Sequence, residues 1–252
     1  MEVHISNNFK RRFSGVENLY GEKGLNNFSL AHVVIIGIGG VGSWVVEALA
    51  RNGVGELTLI DMDVVAESNI NRQLPALSST VGRNKIDVMA ERISEINESC
   101  KYHLIDDFLT EDNISDLIPF DINFVIDCID SSRVKAALIS WCKRNKIKII
   151  TLGGAGGQID PTLIKISDLS KTEHDPLLSK TRKLLRQNYK FPTNTKRRFS
   201  IPCVYSVEHL KRTSPSASGL SCAGGLGSSV MVTASFGFVA VSYVLKKITE
   251  LD

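Results

Sequence analysis

The strongest constraint on this chain is Gly37-Ile38-Gly39-Gly40-Val41-Gly42, a GxGxxG turn directly after the apolar run 33–36. A short apolar run closed by glycine reads as a strand buried on both faces of a parallel sheet. Gly37, Gly39, Gly40 and Gly42 permit a tight turn and a close backbone approach to phosphate. The helix expected over 42–51 adds the N–H groups of its first turn. The next apolar run, 57–60, ends in Asp61, about 20 residues further on, where a carboxylate can accept from ribose hydroxyls. Together these features predict a nucleotide site at a strand–turn–helix junction.

The same alternation continues. A helix is expected over 84–98, with Ile86, Met89, Ile93 and Ile96 as its apolar stripe. Short apolar runs follow at 102–105 and 124–126. A helix over 133–145 carries Val134, Leu138 and Trp141 on one face, and a strand is expected at 147–152. Strands alternating with helices of this length predict an α/β fold with a doubly wound, mostly parallel, Rossmann-like sheet. After the glycine run 153–157 the pattern changes to a C-terminal strand and helix elaboration. An extended stretch at 158–166 is broken by Pro161, a helix is expected over 173–187, and a strand over 199–207. No repeat or linker divides the 252 residues, so one domain is expected, with its nucleotide-binding half at 1–152 and the elaboration at 153–252.

Residues 213–245 contain no Asp, Glu, Lys or Arg. That length could span a bilayer. Gly219, Gly224, Gly225, Gly227 and several serines dilute it, which suits a helix packed inside a protein. No apolar core of a secretory signal is visible near the start. The expected location is cytoplasmic, with membrane association through this stretch as the alternative.

A glycine turn and Asp61 alone would suggest NAD. Three features point instead to a triphosphate. Asp61-Met62-Asp63 leads into the polar run Ser68-Asn69-Ile70-Asn71-Arg72-Gln73, Lys85 opens the next helix, and Asp127-Cys128-Ile129-Asp130 ends a strand at the carboxyl edge of the sheet. Cations on phosphates and a carboxylate on a metal suit phosphate chemistry, whereas hydride transfer needs neither. Charge is also segregated. Residues 176–207 hold eight Lys or Arg and no acid, a net +8, while the rest of the chain carries −5. A basic segment of this kind attracts a polyanion such as nucleic acid.

The combination of GxGGVGS, IDMDVVAESNINRQ, VGRNK and DCID resembles the ThiF/MoeB-like adenylating superfamily of ubiquitin-activating-type enzymes, which use ATP to activate a carboxylate as an acyl-adenylate. Longer strings are similar to the branch that cyclises a threonylcarbamoyl-modified adenosine in tRNA. They include RRFSGVENLYG (11–21), GGAGGQIDPT (153–162) and VTASFGFVAVSYVLKK (232–247). The resemblance implies that the glycine turn holds ATP phosphates and Asp61 the ribose. Asn69 and Arg72 would face the triphosphate. Lys85 would stabilise the phosphate undergoing transfer, and Asp130 would hold Mg²⁺. It further implies that Arg12 acts across a homodimer interface, and that tRNA lies on the basic segment, including Lys196, Arg197 and Arg198. Cys222 would be a point of sulfur exchange with a cysteine desulfurase or sulfur acceptor. Much of the superfamily has Asn after the metal-site Asp, where this chain has Ser131. The alternative within the superfamily is adenylation of a ubiquitin-like sulfur-carrier protein, and a third reading is a nucleotide-binding module without chemistry. The five cysteines form no CxxC pair, so the zinc ligands of the sulfur-carrier adenylators are missing and no zinc is expected. The histidines, at 4, 32, 103, 174 and 209, show no ligand spacing. Cys128 and Cys142 read as core, and Trp44 and Trp141 as packing residues.

Overall fold

The computed structural model describes residues 7–211 and 226–250. Cys222 and part of the uncharged stretch lie outside them. In chain order the elements are α1 (Asn7–Leu30), β1 (His32–Ile36), α2 (Gly42–Arg51), β2 (Glu56–Ile60), α3 (Lys85–Ile96), β3 (Lys101–Ile105), α4 (Ile114–Leu117), β4 (Phe124–Asp127), α5 (Ser132–Arg144), β5 (Ile149–Leu152), β6 (Ile164–Asp168), α6 (Pro176–Asn188), β7 (Pro202–Ser206) and α7 (Val230–Thr249). All seven strands form one sheet in the order β3-β2-β1-β4-β5-β7-β6, parallel except for β6. The winding direction reverses between β1 and β4, which leaves a crevice beyond their carboxyl ends.

Successive residues of β1 serve opposite faces. Val33 and Ile35 join a core with Val45, Leu49, Met89 and Phe236, from α2, α3 and α7. Val34 and Ile36 join a second core with Leu138, Cys142, Leu178 and Leu185, from α5 and α6. Two buried faces explain why residues 33–36 are uniformly apolar.

One helix is added to the expected elements, one strand is shortened, and the described end of the uncharged stretch is the packed helix expected of it. No apolar pattern marks α1, whose buried apolar residues are Phe9, Phe13, Leu25 and Phe28 and which bends at Phe13 and Gly21. Gly21 sits at φ +77°, which an L side chain rarely adopts. The strand expected over 158–166 is shorter and later. Pro161 opens a 3₁₀ turn, Asp160 accepts from Thr162 N at 2.9 Å, and β6 starts only at Ile164. The uncharged stretch supplies α7, which is long and apolar enough to cross a membrane but is half buried against α1 and α2. Gly237 permits this approach, because a Cβ there would stand 3.1 Å from Trp44 Cβ and from Val41 O.

Candidate active site

A cavity of about 480 Å³ lies at the carboxyl ends of β1, β2, β4 and β5. The glycine turn forms its floor. Gly37 has φ +86° and donates to Ile60 O at 2.9 Å, which ties the turn to β2. Gly37, Gly39 and Gly40 line the cavity. Gly42 stands behind them, where a Cβ would come 1.8 Å from Gly37 O, so its part is to let helix α2 start this close to the strand. Asp61 accepts from Ile38 N at 2.5 Å and from Asp63 N at 2.8 Å, which fixes the turn as well as the carboxylate. Burial pushes the Asp61 carboxyl above its ordinary value, against the opposing charge of Lys85.

Lys85 reaches the cavity because two loops pair. Val65 N donates to Arg83 O, Lys85 N donates to Asp63 O, and Val64 bridges Asn84. This local ladder joins the segment after β2 to the start of α3. The Lys85 side chain is 5% exposed, and its Nζ donates to Asp63 Oδ2 at 2.7 Å. An incoming phosphate would meet a buried ammonium already aimed into the cavity. Arg72 lies over Gly40, and its carbonyl accepts from Trp44 Nε1 at 3.0 Å. Its Nη1 donates to Ser68 O and to Asn71 Oδ1. Asn69 is buried and accepts from Ala66 N.

Asp130 is exposed on the turn after β4 and lines the same cavity. Ser131, the residue before α5, makes no side-chain cap to the helix. Behind this turn lies a fully buried ion pair that the sequence did not suggest. Lys135 Nζ stands 2.8 Å from Asp127 Oδ2 and 3.2 Å from Thr151 Oγ1. Asp127 Oδ1 accepts from Ile129 N, which shapes the turn carrying Asp130. Opposite, Gly153, Gly154 and Gly156 form a second glycine wall. Asp175 accepts from Gly154 N and from Leu178 N, both at 2.9 Å, so one carboxylate joins this wall to the first turn of α6.

The structure therefore gathers Gly37, Gly39, Gly40, Asp61, Asn69, Arg72, Lys85 and Asp130 around one cavity. Sequence reasoning missed Gln73, Phe108 and the glycine wall, which also line it. Gln73 Oε1 is buried with no hydrogen-bond partner among the described residues. The other candidates lie elsewhere. Arg12 is exposed and donates to the carbonyls of Glu95 and Ile96, at the far end of α3 from Lys85. Lys196, Arg197 and Arg198 form an exposed turn. Asp168 holds its base, accepting from Phe199, Ser200 and Ile201 N–H groups at 2.9, 2.7 and 3.3 Å. Of the eight basic residues in this segment, Arg182 and Arg186 are partly buried, and Arg186 lies over the Phe199 ring, so six face outward. Burial raises the thiol of Cys100 to about 12 and pushes those of Cys142 and Cys203 well up, as buried core thiols, whereas Cys128, also pushed up, is half-buried and lines the cavity.

Residues 13–252 match the ThiF family model. The chain belongs to the ThiF family. Within the ThiF family it is 53% identical, over 96% of this chain and 95% of the other, to a tRNA threonylcarbamoyladenosine dehydratase of Haemophilus influenzae. The dehydratase of Escherichia coli is 49% identical over 98% of this chain and 97% of its own length. A crystal structure of that enzyme in complex with ATP matches with a TM-score of 0.91 at 50% identity, covering 98% of this chain and 97% of that one. By contrast, a molybdopterin-synthase adenylyltransferase of H. influenzae is 30% identical over 70% of this chain and 66% of its own. The sulfur-carrier alternative is therefore not favoured.

Proposed function

We propose that this chain uses ATP to cyclise threonylcarbamoyladenosine in tRNA through an acyl-adenylate. The observation that carries this reading is the convergence of Arg72, Lys85 and Asp130 on a glycine-lined cavity whose wall continues into the basic helix α6. The threonyl carboxylate attacks the α-phosphorus of ATP and pyrophosphate leaves. A nucleophile on the same modification then closes the ring, and one carboxylate oxygen departs on AMP. The protein positions the carboxylate in line and neutralises the phosphates. Lys85 and Arg72 supply the positive charge. Asp130, an exposed carboxylate lining the same cavity, offers the oxygen donor that Mg²⁺ prefers, and a bound Mg²⁺ would offset phosphate charge there. Arg12 belongs in this reading as a residue given to the cavity of a second copy, since in its own chain it sits at the far end of α3. The free thiols among the described residues support a cytoplasmic setting. Sulfur exchange at Cys222 rests on the family resemblance alone.

Exchange of labelled pyrophosphate into ATP tests the reading. It is expected with tRNA bearing the modification, and not with unmodified tRNA or a carrier-protein C-terminus. Equal exchange without an acceptor would overturn it.

The basic turn provides a separate prediction. Replacing Lys196, Arg197 and Arg198 together by glutamine is expected to weaken tRNA binding and leave ATP affinity unchanged, because none of the three lines the cavity. Three lost phosphate contacts should flatten the slope of log affinity against log salt by about 2–3 units. An unchanged slope would make the turn an ordinary solvated surface. Lost ATP binding would make it a lid.

A further inference from the structure

At the other end of the sheet from the ATP cavity, three parallel strands collect side chains that are distant in sequence. His32 opens β1, Glu56 opens β2 and His103 is the third residue of β3. Strand register pairs His32 with Glu56, and Thr58 with His103. His103 Nε2 lies 2.7 Å from Glu56 Oε1, and His32 Nδ1 lies 3.7 Å from the same oxygen. One donor atom from each of the three residues lies within 4.8 Å of the other two. Donors about 2.0–2.1 Å from a tetrahedral ion stand roughly 3.4 Å apart, so this spread can close on one ion.

The surroundings fit a ligand set. His32 Nε2 is 2.8 Å from Thr58 Oγ1, and the His32 backbone N–H donates to Asn123 Oδ1 at 2.7 Å. With Nε2–H donating to Thr58, Nδ1 keeps its lone pair on the side facing Glu56. An outer hydrogen bond of this kind orients a metal-ligating histidine. A cavity of about 540 Å³ opens above the three groups, with Asp121 and Asn123 in its wall. The side chains are 13%, 31% and 55% exposed for His32, Glu56 and His103, which leaves a path for entry.

We propose that His32, Glu56 and His103 form a binding site for a divalent transition-metal ion of the Zn²⁺ class, separate from the ATP cavity. Two imidazoles and a carboxylate favour Zn²⁺ over Mg²⁺, which takes oxygen ligands. The five residues of β1 separate the site from Gly37, roughly 16 Å of strand, so the metal takes no part in phosphate chemistry. It clamps three strands of the folded sheet and raises stability by preferential binding.

The test uses the full chain after chelator treatment, titrated with Zn²⁺ by calorimetry and loaded with Co²⁺ for visible spectroscopy. One Zn²⁺ per chain is expected, with a raised melting temperature and a tetrahedral Co²⁺ spectrum lacking the charge-transfer band of thiolates. His103→Ala, an exposed position, and Glu56→Gln should each weaken binding by about 10–100-fold. Mg²⁺ at the same concentration should not shift the melting temperature of the ATP-free chain. Absence of Zn²⁺ binding, a thiolate band, or an affinity unchanged in both variants would each overturn the site.

Discussion

Lys85→Ala is expected to slow adenylation by about 100–1,000-fold, which is roughly 3–4 kcal/mol, while ATP affinity changes much less. An interaction that strengthens as charge develops on the phosphate acts on the rate, and one that is equal in ground and transition states acts on binding. Lys85 has the geometry for the first. Its ammonium is almost fully buried, held 2.7 Å from Asp63, and presented at the first residue of α3. In a site shielded from water each charge counts for more. Single-turnover AMP formation, with ATP binding measured separately, checks the split. A variant with near-normal chemistry would remove Lys85 from the mechanism. The same variant serves for Arg12. Mixed with Arg12→Ala chains, it should regain activity in heterodimers that hold one intact cavity. Confirmed subunit exchange without recovery would end the assignment across the dimer.

Lys135→Met is expected to cost about 3–5 kcal/mol of folding stability, read from the denaturant midpoint, because it leaves Asp127 as a buried charge without its partner. Both side chains are wholly inaccessible. Asp127 would keep Thr151 as a donor, at 2.6 Å from its Oδ2, but no neutralising charge. Adding Asp127→Asn should recover much of the loss, since removing both charges together avoids the desolvated carboxylate. A single variant within about 0.5 kcal/mol of the parent would show that the pair contributes nothing.

What the sequence revealed was local. The glycine turn, Asp61 and Asp130 each follow a strand end, which an apolar run beside glycine or a charge announces, while Lys85 opens a helix and Arg72 stands in a polar run between strands. What it hid depends on contacts across the sheet. Lys135 in the first turn of a helix resembles any solvent-facing lysine until Asp127 is seen beneath it. His32, Glu56 and His103 meet only through the register of three strands. Gln73 followed Arg72 in a polar run that offered no reason to separate the two. Helix α1 was masked by Gly15, Gly21 and Gly24, which weaken any helical pattern, and it is held by its few aromatic contacts instead.

Asp175 is the pin of a lever. One of its oxygens holds the backbone of Gly154 in the wall of the ATP cavity, and the other holds the first turn of α6. The outward lysines of α6 and the turn beyond it are where a large polyanion would press. A load applied there has a direct mechanical route to the cavity wall, through Asp175 and its neighbour Leu177 and without passing through the sheet. A polyanion bound on this segment would thereby bear on the shape of the nucleotide chamber.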